Sequence, residues 1–71
     1  MVKDYEGVID QWPSVAELAT DIDEKTGTVQ KWKQRNRIPA EKWSGLLAAA
    51  RQRGIRLDEA TLVRIAGSQA A

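Results

Sequence analysis

Thr26, Gln30, Lys31 and Gln34 recur at spacings of three and four within a stretch, Lys25 to Arg37, that holds five bases (Lys25, Lys31, Lys33, Arg35, Arg37) and no acid. On a helix, residues three and four apart share a face. These side chains, with Gly27 between them, would form one polar surface free of carboxylates. The chemistry open to such a surface is hydrogen bonding to base edges in a DNA major groove. Gln pairs bidentately with adenine, Lys donates to guanine or to phosphate, and Thr meets a thymine methyl. Lys33, Arg35 and Arg37 would flank the groove and reach phosphates. A basic run of this kind is also the ordinary solvated face of a helix, so its weight depends on the elements that position it.

Other chemistries are poorly provided for. The chain has no Cys and no His, which removes Cys/His zinc patterns, thiol nucleophiles and imidazole bases. It carries no Gly-rich phosphate loop and no Ser/His/Asp set. Asp21, Asp23 and Glu24 come nearest to a cation site, but acids at a helix junction are usually caps or dipole partners. The expectation is a non-enzyme with no catalytic residue, no metal, no cofactor and no small-molecule ligand.

The net charge of +1 over 71 residues conceals a strong segregation. From Asp4 to Glu24 stand seven acids (Asp4, Glu6, Asp10, Glu17, Asp21, Asp23, Glu24) and no base, immediately before the five bases. A polyanion responds to the local field and not to the sum. With 42% apolar and 30% charged residues the composition fits neither a membrane span nor a disordered tail. No secretory signal pattern is visible at Met1. One small soluble domain is expected, cytoplasmic and nucleoid-associated in a bacterial or phage-infected cell.

The elements read as helices throughout. Tyr5, Val8, Ile9 and Trp12 line a first short helix stopped by Pro13. Ser14 and Glu17 fit a reciprocal capping box opening a second helix, with Val15, Leu18, Ala19 and Ile22 on its apolar face. Val29 and Trp32 mark a third helix that starts within Lys25 to Gly27 and runs to about Arg35. Few residues separate helices two and three, which implies a tight helix-turn-helix. Ile38-Pro39 suits a helix entry with Pro at the first helical position. Trp43, Leu46, Leu47 and Ala50 give a fourth helix, closed by Arg51, Arg53 and a left-handed Gly54. Leu57 and Asp58 fit the staple and N-cap of a last helix that carries Leu62, Ile65 and Ala66 inward. Trp12 and Trp43 read as core, with Trp43 alternatively an edge anchor for a second copy, and the last helix either closes the core or pairs between copies. The expected organisation is an all-α, compact five-helix domain over residues 1–67, with the helix-turn-helix at about 14–35 and a frayed tail at 68–71.

The segment from Val15 to Trp43 resembles the helix-turn-helix of Cro-type phage repressors and small prophage regulators. The parts that match are Glu17-Leu18-Ala19, Thr28-Val29-Gln30-Lys31-Trp32 and Ile38-Pro39. The resemblance implies a lambda-repressor-like DNA-binding fold and a sequence-specific transcriptional regulator, a repressor whose third helix reads double-stranded DNA, often as a homodimer on a palindromic operator. Carried over by position, Thr26, Gly27, Gln30, Lys31 and Gln34 fall at base contacts. Ser14, Lys25, Thr28, Lys33, Arg35, Arg37 and Lys42 are assigned to phosphates. Two positions depart from the pattern. Asp23 stands where the family's turn has Gly, and Glu24 where it has a buried aliphatic. Asp tolerates the left-handed conformation, whereas Glu24 cannot be buried unpaired, so a remodelled turn is expected, with at least one of the two acids capping the third helix. The alternative reading is a protein-interaction module, an antitoxin or adaptor, that uses the acidic face of the same scaffold.

Overall fold

Among the described residues five α-helices and one 3-10 turn form, three of the helices opened by a side-chain cap. The computed structural model describes residues 2–69. Helix α1 (Tyr5–Ile9) is capped by Asp4, whose carboxylate accepts from the Gly7 N–H at 2.8 Å. Helix α2 (Val15–Asp21) starts at Ser14, whose Oγ accepts from the Glu17 N–H at 3.1 Å. Only this half of the capping box forms, because the Glu17 carboxylate turns away to the Arg53 guanidinium. Helix α3 (Thr26–Arg35) follows after four residues. A 3-10 turn (Ala40–Lys42) leads into α4 (Trp43–Arg53), and Asp58 caps α5 (Glu59–Gln69) by accepting from the Thr61 N–H at 2.8 Å.

Three helices end in the same way. After α2, the Asp23 N–H bonds to the Thr20 carbonyl and the Glu24 N–H to the Ala19 carbonyl, with Asp23 left-handed at φ 57°. After α3, Asn36 (φ 54°) and Arg37 bond to the carbonyls of Lys33 and Trp32, and after α4, Gly54 (φ 73°) and Ile55 bond to those of Arg51 and Ala50. Each is a Schellman motif that satisfies carbonyls the helix end would otherwise leave open.

Four expectations are corrected by the fold. Helix α1 ends at Ile9, before Trp12, which is nonetheless buried at 3% exposure and donates its indole N–H to Asp21 at 3.0 Å. Pro39 stands ahead of the 3-10 turn at ψ 137°, so it opens that turn and is not the first residue of α4. Helix α5 continues through Gln69, so Ser68 and Gln69 are helical, while Ala70 and Ala71 lie outside the described residues. Neither acid of the α2–α3 turn caps α3, whose N-cap Lys25 makes no side-chain cap hydrogen bond.

The core is continuous across the helices. Val8 and Ile9 of α1, Leu18 and Ala19 of α2, Val29 and Trp32 of α3, Leu46 and Ala50 of α4, and Leu62 and Ile65 of α5 are all buried in one cluster. Helix α2 packs most extensively against α3, and α1 also lies on α3. Ala19, a small residue of α2, is buried in this cluster at 1% exposure. Thus α3 is held along its apolar side by two helices, and its remaining circumference is set toward solvent. Helix α5 closes the core with Leu62 and Ile65 and leaves Val63 53% exposed. No described helix is long and apolar enough to cross a membrane.

Candidate nucleic-acid interface

Burying Val29 and Trp32 fixes the rotation of α3. Thr26, Gly27, Gln30, Lys31 and Gln34 are consequently exposed, all five of the residues assigned to base edges. The outermost strip is Gly27, Gln30, Lys31 and Gln34, since these lie opposite the buried pair on a helix of 3.6 residues per turn. Gly27 presents bare backbone: a Cβ built there would meet nothing within 4 Å. Thr28 is half-buried on the flank that faces the loop after α3.

The residues assigned to phosphates divide into two groups. Lys25, Arg35 and Arg37 are exposed and, like Lys31, form no ion pair with a carboxylate among the described residues. Lys33, by contrast, lies 3.0 Å from the Asp10 carboxylate at the end of α1, and Lys42 pairs with Glu24. Ser14 is exposed, and although its oxygen caps α2, its hydroxyl proton stays free to donate. Arg37 also makes itself felt at Tyr5. Burial pushes the Tyr5 phenol up, and the positive charge of Arg37 opposes that shift.

Glu24 explains how the turn accommodates a carboxylate. Its side chain is 18% exposed, too buried to remain uncompensated, and the Lys42 ammonium meets it there. The hydrogen bond to Glu24 holds the Lys42 ammonium above its ordinary range. The pair ties the α2–α3 turn to the start of α4. The sequence assigns Lys42 to phosphate; in the structure its ammonium meets the Glu24 carboxylate.

The acidic block is likewise largely engaged. Arg53 reaches from the end of α4 to α2, where its guanidinium bonds to both oxygens of Asp21 and lies 3.3 Å from Glu17. The guanidinium hydrogen bond holds the Asp21 carboxyl below the usual range, partly countered by desolvation and assisted by the Trp12 indole. Read from the sequence, Arg53 complements the dipole of its own helix; in the fold it clamps α4 to α2. Asp10, Glu17, Asp21 and Glu24 are all in ion pairs and Asp4 caps α1, which leaves Glu6 and Asp23 as the acids of the block without either role among the described residues. The charge separation along the chain therefore survives in space mainly at its positive end.

Among the described residues no cluster of acids could hold a metal ion. No family model matches this chain, and no curated protein or solved structure matches it.

Proposed function

We propose that the protein is a sequence-specific double-stranded DNA-binding regulator that lays α3 in the major groove, with α2 across it as the first helix of a helix-turn-helix. The observation that carries this reading is the state of α3: an acid-free outer strip of Gly27, Gln30, Lys31 and Gln34, accompanied by four cations that no carboxylate among the described residues neutralises. Ten residues give α3 a length of about 15 Å, and a helix fits the groove, which is about 12 Å wide. Gln30 and Gln34 are the candidates for bidentate contacts to adenine, and Lys31 for guanine. Lys25, Arg35 and Arg37 would hold the phosphates on either side, assisted by Ser14 and Thr28.

A repressor of the Cro type fits this arrangement, acting as a homodimer on a palindromic operator with half-sites about one helical turn apart. The competing reading, a module that works through its acidic face, has less to work with, since the carboxylates of that face are mostly committed to Arg53, Lys33 and Lys42.

Selection of bound sequences from a random duplex pool tests the proposal. A palindromic consensus supports it; recovery of no consensus overturns it. In anisotropy titrations, Gln30→Ala is expected to cost about 1 to 3 kcal/mol on the selected site and little on a scrambled duplex. Equal losses on both duplexes would remove Gln30 from base readout.

A further inference from the structure

Beside α3 lies a cleft of about 790 Å³, walled by the C-terminal half of α3, the segment from Arg37 to Trp43 and the end of α5. Trp32, Ile38, Pro39, Trp43 and Ala66 give part of its lining an apolar and aromatic character. Lys31, Arg35 and Arg37 also line it, and no carboxylate of the described residues does. None of the three cations has an ion-pair partner among the described residues. Trp43 is held in place by its indole N–H, which donates to the Ile38 carbonyl at 3.2 Å, and its ring centroid lies 6.5 Å from that of Tyr5. Gln69 donates to the Asn36 carbonyl at 2.8 Å and so ties the end of α5 to the segment that forms the opposite wall.

A concave, largely apolar site with a few convergent polar groups is the usual form of a small-molecule site, and this volume falls within the usual range of about 300 to 1,000 Å³. Three cations without a counter-charge select an anion, and two guanidinium groups among them suit the paired oxygens of a phosphate or carboxylate. The indole wall suits a flat body.

We propose that this cleft binds a small organic anion with a flat apolar body, an aryl phosphate or aryl carboxylate, and that its occupant shares Lys31, Arg35 and Arg37 with DNA. The second half rests on the DNA-binding reading above; the first half does not. Occupancy would neutralise these three cations on α3 and the loop behind it, so the ligand and DNA oppose one another.

Naphthyl phosphate, naphthoate, neutral naphthol and inorganic phosphate are titrated into the full chain while backbone and indole N–H resonances are followed. The two aryl anions are expected to bind saturably and to shift Trp43, Ile38 and Arg37, with naphthol and inorganic phosphate weaker by about tenfold or more, since each lacks one half of the recognition. Relative tightness of the phosphate and the carboxylate identifies the head group. Arg37→Ala is expected to weaken binding by about tenfold, whereas Arg51→Ala, which removes an exposed cation away from the cleft, leaves it unchanged. Absence of saturable binding by either aryl anion, shifts confined to other surfaces, or equal losses in the two variants would overturn the site. In a separate arm, the aryl anion is added to a preformed protein–DNA complex. Release supports the shared cations, and ligand binding without release overturns the coupling alone. A chain that binds the aryl anion but no DNA would overturn the regulator reading and leave the site standing.

Discussion

The side-chain oxygen of Asn36 accepts a hydrogen bond of 2.9 Å from the backbone N–H of Glu6. That N–H is one of the open donors in the first turn of α1, and Asn36 is the left-handed residue that ends α3. The Asn36 carbonyl in turn accepts from Gln69 at the end of α5. One residue thus ends a helix, satisfies a second helix and receives a third. It also sets the direction in which Arg37 and the following loop leave α3, so it governs the position of a cation of the candidate interface.

Replacing Asn36 separates these roles. Asn36→Gly keeps the left-handed backbone and loses the hydrogen bond to Glu6, with an expected cost of about 1 kcal/mol. Asn36→Ala loses both and is expected to cost about 2 kcal/mol. Urea denaturation measures the two. Equal stability of both variants and the parent would show that the node contributes nothing to folding.

Much of this fold is legible in the sequence because its signals are local. The apolar spacing of Val15, Leu18, Ala19 and Ile22, the Ser14 and Asp58 caps, and the left-handed Gly54 depend only on neighbouring residues, and the fold reproduces them. Asn36 carries a local signal too, an Asn just after the last periodic residue of a helix. The exposed face of α3 is legible for the same reason, since burying Val29 and Trp32 dictates it. What is not legible is nonlocal. Arg53 meets Asp21 across 32 residues, and Lys33 and Lys42 meet Asp10 and Glu24, partners that only the packing of separate helices brings together. Charge assignments made along the chain do not distinguish Lys33, which is paired, from Lys31, which is not.

Asp23 occupies a left-handed position at which any Cβ is a burden. Asp23→Gly is expected to stabilise the fold by about 0.5 kcal/mol, the steric relief being partly offset by the greater freedom of Gly in the unfolded chain. Thermal denaturation tests this, with Asp23→Val as the opposite case, destabilised because a β-branched residue rarely adopts this conformation. A Gly variant less stable than the parent would mean that the Asp side chain itself supports the turn.

Gly27 and Gly45 are both helical, and a methyl group added at either position would have nothing within 4 Å. Each change to Ala is expected to raise stability, by up to about 1 kcal/mol, through helix propensity. Their effects on DNA should differ. Gly27 lies in the outer strip of α3, where bare backbone permits close approach, so Gly27→Ala weakens binding while Gly45→Ala does not. Identical affinities for both variants would argue against α3 as the contacting helix.

Two ion pairs and one cap hydrogen bond set a stability plateau in pH. Asp21 is held below its ordinary value by the Arg53 guanidinium and Asp58 by the Thr61 hydroxyl, so both contribute stability that is present above the unfolded carboxyl value of about 3.9. That contribution is lost as pH falls through their lowered folded values. Lys42 is raised by its hydrogen bond to Glu24, so its contribution is present below about 10.4 and is lost as pH rises through the folded value. Melting temperatures measured across pH should be level between about 5 and 9 and fall on both sides. Arg53→Met is expected to shrink the acid limb and leave the alkaline limb unchanged. An acid limb unaffected by Arg53→Met would assign it to other carboxylates.

Salt dependence distinguishes the free cations from the paired ones. Each phosphate neutralised contributes about −0.9 to the slope of log K against log salt, so phosphate contacts by Lys25, Arg35 and Arg37 give about −2.7 per protomer, and twice that for a dimer. Arg37→Ala should reduce the magnitude of that slope by about 0.9 per protomer. Lys33→Ala should lower the affinity and leave the slope unchanged, because Lys33 already neutralises Asp10, and its removal uncovers a repelling carboxylate without removing a phosphate contact. Titrations of the selected duplex at several salt concentrations measure both slopes. A slope change for Lys33→Ala as large as that for Arg37→Ala would mean that Lys33 leaves Asp10 for a phosphate when DNA arrives, and the division between paired and free cations would then fail.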